Sequence, residues 1–119
     1  MNILVIENEE FLAENLCRYL KKIENLSIKY VTSAQEALQL LSKECYDLII
    51  SDLWLSDAEA DDWLLQVGEI CEGQSLIITS AYPIPEKVRL SNKLNIIGYF
   101  EKPFDIKIIV NLINQLTKS

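Results

Sequence analysis

Several short apolar runs in this sequence lead into residues that can do chemistry. Glu7, Asn8, Glu9 and Glu10 follow Ile3-Leu4-Val5-Ile6, and Ser51-Asp52 follows Leu48-Ile49-Ile50. Thr79-Ser80-Ala81 follows Leu76-Ile77-Ile78, and Glu101-Lys102-Pro103-Phe104 lies beyond Ile96-Ile97. Acids, a hydroxyl and a lysine suit phosphoryl chemistry that needs no nucleotide. A carboxylate can act as nucleophile and hold an acyl phosphate. Neighbouring acidic oxygens can bind Mg²⁺, which neutralises charge on the transferring group. A lysine and a hydroxyl can then bind the phosphoryl oxygens. The chain has three glycines and no Gly-rich phosphate loop, so a nucleotide site is not supported. It has no histidine, which excludes an internal histidine base, a phosphohistidine relay within the chain and a His-containing metal site.

The elements that must position these groups are legible from periodicity. The apolar runs are continuous rather than alternating, as strands read when helices cover both faces of a parallel sheet. Ser27 to Thr32 is more mixed, with Lys29 inside it, and suits an edge strand. Between the runs lie helical stripes: Leu12, Leu16, Tyr19, Leu20 and Ile23, with Asn8 as a possible cap; then Ala34, Ala37, Leu38 and Leu41, opened by the capping box Ser33-Ala-Gln-Glu36. Trp63, Leu64, Val67, Ile70 and Cys71 form a third stripe. A fourth helix is expected to start at Pro85, with Val88, Leu90 and Leu94 on its apolar face. The fifth is capped by Asp105 and carries Ile106, Ile109, Leu112, Ile113 and Leu116. Five strand–helix units in strict alternation predict a doubly wound α/β sandwich. In such sheets function collects at the carboxyl ends of the strands, so the chemical groups should share one rim.

The 119 residues imply one domain, 1–119, with no internal linker. The net charge of −7 repels phosphate backbones, so direct nucleic-acid binding is not expected. Cys17, Cys45 and Cys71 are odd in number, far apart and without a Cys-x-x-Cys pair, and read as buried free thiols of a reducing cytoplasm. No apolar run approaches a membrane span and no signal peptide is evident, which points to a soluble cytoplasmic protein. The sequence ends shortly after the fifth helix, so no effector domain is expected in it.

Taken together, Ile-Leu-Val-Ile-Glu7-Asn8-Glu9, Asp-Leu-Ile-Ile-Ser-Asp52, Ile-Ile-Thr-Ser80-Ala81 and Gly-Tyr99-Phe-Glu-Lys102-Pro103-Phe104 resemble the receiver domain of two-component response regulators. The resemblance covers essentially the whole chain, in order and at the family's spacing. It implies a flavodoxin-like (βα)5 sandwich with strand order 2-1-3-4-5. It also implies a phosphorylation-controlled signalling domain, not an enzyme in the metabolic sense. A sensor histidine kinase or phosphotransfer protein would supply the phosphoryl group, and the output would be altered binding to another protein or a second copy through the face of helix four, strand five and helix five.

By position, Asp52 matches the phosphoacceptor, Ser80 the phosphoryl-contacting hydroxyl and Lys102 the family lysine. Glu7 and Asn8 match the acidic pair that helps bind Mg²⁺, with the main-chain carbonyl of Trp54 as a further ligand. Tyr99 matches the aromatic switch position, and the Lys102-Pro103 bond resembles one that is usually cis. The chain departs from the family at Asn8, where one metal-directed charge is missing, so weak Mg²⁺ binding is expected. It departs also at Ser56, where a proline is common, and at Ala60, where a glycine is usual. The alternative to phosphate control is an interaction module of the same fold that no longer depends on phosphate; Asn8 favours it, while intact Asp52, Ser80 and Lys102 oppose it. An aspartate-nucleophile phosphatase is disfavoured because Trp54 stands where such hydrolases carry a second aspartate. Glu7 reads equally as a helix-terminal acid or a metal ligand, whereas Asn8 reads first as a plain cap and second as a ligand. Trp63 reads as core, and Trp54 as a wall of the site or a partner contact.

Overall fold

The computed structural model describes residues 1–117; residues 118 and 119 of the expected 1–119 domain, and the side chains at 60 and 61, lie outside the described residues. Strands and helices alternate: β1 (Asn2–Ile6), α1 (Glu10–Leu20), β2 (Ser27–Val31), α2 (Ala34–Leu41), β3 (Leu48–Asp52), α3 (Ala60–Ile70), β4 (Gln74–Ser80), α4 (Glu86–Arg89), β5 (Leu94–Glu101) and α5 (Ile106–Thr117). All strand pairs are parallel, in the order β2-β1-β3-β4-β5. Both the fold class and the strand order expected from the resemblance are therefore observed.

Alternate residues of the strands serve two cores, which is why the central runs are apolar at every position. Ile3, Val5, Leu48, Ile50 and Ile77 pack beneath Leu16, Cys17 and Leu20 of α1 and Ile109 and Ile113 of α5. Leu4, Ile6, Ile49, Leu76 and Ile78 pack beneath Ala34, Ala37 and Leu41 of α2, Trp63, Leu64 and Val67 of α3, and Val88 of α4. Each fully buried Leu or Ile contributes roughly 1.5–3 kcal/mol of hydrophobic stabilisation before entropy is counted. Ser27–Val31 is an edge strand, as its mixed pattern predicts, and β5 forms the other edge.

Two caps behave as read. The Ser33 Oγ accepts from the Glu36 N–H at 3.1 Å, and Asp105 Oδ1 accepts from the Lys107 N–H at 3.0 Å. Three readings are corrected. The fourth helix is a single turn: Leu90 is 68 % exposed and Leu94 belongs to β5, so of the expected apolar face only Val88 is buried within the helix. Asn8 does not cap α1: the cap position is Glu9, and it makes no side-chain cap. The cysteines are not all free, since Cys45 and Cys71 are joined in a disulfide and only Cys17 remains a buried thiol.

Candidate functional site

The carboxyl ends of β1, β3 and β4, with the end of β5, form one rim. Pairing fixes their register: Ile6 lies beside Ser51, Asp52 beside Thr79, and Ser80 beside Glu101. The backbone zips one step further on each side, with the Leu53 N–H donating to the Thr79 carbonyl (3.1 Å) and the Lys102 N–H to the Ser80 carbonyl (2.8 Å). The Lys102-Pro103 peptide bond is cis, as the resemblance implies.

Three charged groups meet at this rim. The Lys102 ammonium lies 3.0 Å from Asp52 Oδ2 and 2.9 Å from Glu7 Oε1, with Glu9 Oε2 further out at 3.9 Å. Glu7 and Asp52 are only 3 % and 6 % exposed. Their remaining carboxylate oxygens accept main-chain donors: Glu9 N–H to Glu7 Oε2 and Trp54 N–H to Asp52 Oδ1, each 3.0 Å. Burial pushes the Glu7 carboxyl above its ordinary value, and the nearby Asp52 charge adds to that, against the hydrogen bonds from Lys102 and Glu9. Burial alone would lower the Lys102 ammonium, but its bonds to Glu7 and Asp52 outweigh that and raise it. Lys102 is thus a fixed cation between two buried carboxylates, and the trio carries a net charge of −1.

The hydroxyl and aromatic groups form a second chain at the rim. Ser80 is fully buried; its Oγ donates to the Tyr82 carbonyl (2.7 Å) and accepts from the Tyr82 N–H (3.0 Å). The Tyr99 hydroxyl donates to the same Tyr82 carbonyl at 2.8 Å. Tyr82 in turn packs edge-on against Trp54, with ring centroids 5.7 Å apart. Trp54 is therefore an exposed wall of the site, whereas Trp63 is fully buried core, its indole N–H donating to the Leu53 carbonyl at 3.1 Å.

The donor set is compatible with Mg²⁺. Such an ion commonly binds through one or two carboxylates and keeps several waters, and Glu7 and Asp52 supply two hard anionic donors side by side. Among the described residues no group of three or more His, Cys, Asp or Glu is placed to hold a metal ion, so other ligands would have to be neutral oxygens or water. Asn8 is exposed, next to Glu7 in sequence.

The predicted residues Glu7, Asp52 and Lys102 are in direct contact, and Ser80 and Tyr99 are connected to each other through Tyr82. Sequence reasoning missed Tyr82 as the acceptor they share. It also missed Asp57, whose two carboxylate oxygens accept from the Ala34 and Gln35 N–H groups at 3.0 and 2.9 Å, tying the loop after β3 to the start of α2. These main-chain donors hold the Asp57 carboxyl below its ordinary value. An acid in a loop gives no sequence signal for a cap made more than twenty residues away.

A buried carboxylate at the end of the third strand, bridged by a lysine from the fifth strand's end, on a 2-1-3-4-5 sheet, defines a receiver-type α/β domain. Residues 3–114 match the response regulator receiver domain family, and this chain belongs to it. Its relatives include the transcriptional regulatory protein MalR of Bacillus subtilis, 25 % identical, with the match covering 90 % of this chain and 46 % of that protein. Another is a 14.6 kDa protein of Leptolyngbya boryana, 26 % identical over 97 % of this chain and 88 % of its own length. The chain thus spans about half of MalR and most of the second relative. A two-component response regulator structure from Clostridium difficile superposes with a TM-score of 0.82 at 17 % identity, covering 99 % of this chain and 96 % of that one. The family assigns the chain to two-component signalling. No helix among the described residues is long and apolar enough to cross a membrane.

Proposed function

We propose that this receiver domain, taken as the single unit 1–119, accepts a phosphoryl group on Asp52 from a phosphohistidine of a sensor histidine kinase or phosphotransfer protein in the cytoplasm. The observation that carries this reading is the Lys102 ammonium 3.0 Å from Asp52 Oδ2 in a buried site. In the transfer, an Asp52 carboxylate oxygen attacks phosphorus, the P–N bond breaks, and the imidazole leaves with its electron pair, producing an acyl phosphate. Lys102 then exchanges its bond to the free carboxylate for one to a phosphoryl oxygen, keeping its contact with Glu7. Glu7, Asp52, the Asn8 amide and the Trp54 main-chain carbonyl would hold Mg²⁺, weakly. When bound, that ion neutralises charge on the phosphoryl oxygens.

The output follows from the second chain of contacts. Drawing the Ser80 hydroxyl toward a phosphoryl oxygen removes it from the Tyr82 carbonyl, the acceptor it shares with Tyr99. The phosphoryl group thereby biases the Ser80–Tyr82–Tyr99 arrangement, and with it the face of α4, β5 and α5 that would bind a partner protein or a second copy. The one-turn α4 is the element there with least packing to resist a shift. Direct nucleic-acid contact is not part of this reading, given the charge of −7.

A second reading has one specific observation in its favour. The two carboxylates already share a cation, Lys102, which partly neutralises the buried pair without metal or phosphate. A phosphate-independent interaction module would use that closed state. Incubation with a small phosphoramidate or acyl phosphate and Mg²⁺, followed by intact mass, separates the two. One phosphoryl adduct is expected on the native chain and none on Asp52→Asn. A native chain that gains no mass, or a variant labelled equally well, rejects Asp52 as acceptor.

A further inference from the structure

The Cys45–Cys71 disulfide lies at the opposite end of the sheet from Asp52. Cys45 precedes β3 in the loop after α2, and Cys71 is the C-cap of α3, just before β4. The two residues differ in access: Cys45 is exposed, whereas Cys71 is buried at 5 %. Contacts other than the disulfide also hold them together. The Gln74 side-chain amide donates to the Tyr46 carbonyl at 2.9 Å, joining the residue after Cys45 to the first residue of β4. The Cys71 N–H donates to the Val67 carbonyl at 2.8 Å, and the Gln74 N–H to the Cys71 carbonyl at 3.1 Å, so the buried sulfur's backbone is fixed from both sides. The third thiol cannot interfere: Cys17 packs in the core on the α1 and α5 side of the sheet, and Cys71 in the core on the other side.

We propose that Cys45 and Cys71 form a thiol–disulfide exchange site whose substrate is a low-molecular-weight thiol or its disulfide, entering at Cys45. The exchange is directional because a bimolecular attack needs an accessible sulfur, and of the pair only Cys45 belongs to an exposed residue. In oxidation, the Cys45 thiolate attacks one sulfur of the small disulfide, forming a mixed disulfide and releasing one small thiolate. The Cys71 thiolate then attacks the Cys45 sulfur, closing the Cys45–Cys71 bond and releasing the second. Two electrons pass from the cysteine pair to the small disulfide, and the two thiol protons end on the released thiols. Reduction runs the same steps backwards. The Gln74–Tyr46 bond keeps the loop ends adjacent in the reduced state, so the second step is intramolecular and outruns accumulation of the adduct. The bond encloses β3, the loop after it and α3, the segment that contains Asp52.

The test uses the reduced chain, oxidised glutathione, acid quenching, and intact and peptide mass. The native chain should lose two thiols, keep one at Cys17 and end without a persistent adduct. Cys71→Ala should retain one glutathione on Cys45, the step that normally resolves it being absent. Cys45→Ser should acquire adduct at Cys71 at least tenfold more slowly than Cys71→Ala acquires it at Cys45. A native chain left with three thiols, a lasting adduct on it, labelling of Cys17, or equal rates for the two variants would overturn the proposal. Should Cys71→Ala not fold, the near-isosteric Cys71→Ser takes its place: it must keep one glutathione on Cys45, and a variant without that adduct overturns the proposal. None of these readouts involves phosphate, so the outcome is independent of the role of Asp52.

Discussion

Replacing Asn8 by aspartate should tighten Mg²⁺ binding about tenfold. The substitution costs the fold little: Asn8 is exposed, lies before the Glu9 cap position, and among the described residues no hydrogen bond involves its side chain. Its effect is electrostatic. Glu7, Asp52 and Lys102 sum to −1, and the new carboxylate makes the site −2 toward a divalent cation. At ~5 Å the added attraction is about 1.7 kcal/mol in a water-like dielectric and about 6.6 kcal/mol at an effective dielectric of ~20. An exposed position next to a cation that keeps its waters belongs near the lower figure. About 1.4 kcal/mol of it is tenfold in Kd. The titration can be read by Trp54 fluorescence, because its N–H bonds Asp52 Oδ1, while the fully buried Trp63 supplies a constant background. The gain must also shrink with salt, as the Debye length falls from ~30 Å at 0.01 M to ~8 Å at 0.15 M. A Kd changed less than twofold at low salt, or a gain indifferent to salt, would show that position 8 does not face the metal.

Two other results are expected. Asp57→Ala should lower stability in urea unfolding by about 1 kcal/mol, the typical value of a lost helix cap discounted for exposure, and should weaken Mg²⁺ binding through the freed loop that carries Trp54. Because the folded Asp57 pKa lies below its ordinary value, its contribution is full above the unfolded pKa of about 3.9 and is lost as pH falls through the depressed folded value. The difference between native and variant should therefore be flat near neutrality and vanish in acid; a gap that persists there refutes the cap. Glu7 titrates in the other sense. Its raised folded pKa means that the stability it contributes is full at low pH and is lost as pH rises through that value. A proton competes with Mg²⁺ for the same oxygens, so affinity should start to fall with decreasing pH at a higher pH than an ordinary glutamate would give. Glu7→Gln should bind Mg²⁺ weakly and lose that component of the pH profile; a profile unchanged in the variant would assign the titration elsewhere.

What the sequence made legible was whatever depended on continuous burial or on neighbours. The β1, β3 and β4 runs are apolar at every position because two cores claim alternate residues. The Ser33 and Asp105 caps are local and were readable at two or three residues' range. The failures are non-local. Leu90 and Leu94 sit at helical spacing, but β5 begins at Leu94 and Leu90 stays in solvent, so Leu94 reaches the core from a strand and only Val88 does so from the helix. The pairing of Cys45 with Cys71, 26 residues apart, depends on where the ends of α2 and α3 lie in space, which spacing alone does not encode. At the site, Glu7, Asp52 and Lys102 were found by strand-end logic, whereas Tyr82 was missed because its main-chain carbonyl, not its side chain, links Ser80 to Tyr99.

These misses fall on both sides of Asp52, and that bears on how the domain would move. The β3–α3 unit is fastened at both ends: Asp57 ties its upper loop to α2, Trp63 ties α3 back to the Leu53 carbonyl, and the Cys45–Cys71 bond closes its lower end. On the other side of Asp52, α4 is one turn long, and the rim connection from Ser80 to Tyr99 runs through a single shared carbonyl. A perturbation at Asp52 therefore meets a stiff neighbour in the segment that bears it and a compliant one across β4. Ser80 lies on that compliant side, beside the backbone of Lys102. The asymmetry favours transmission through β4, α4 and β5, and it arises from contacts as remote in sequence as Ala34 to Asp57 and Cys45 to Cys71.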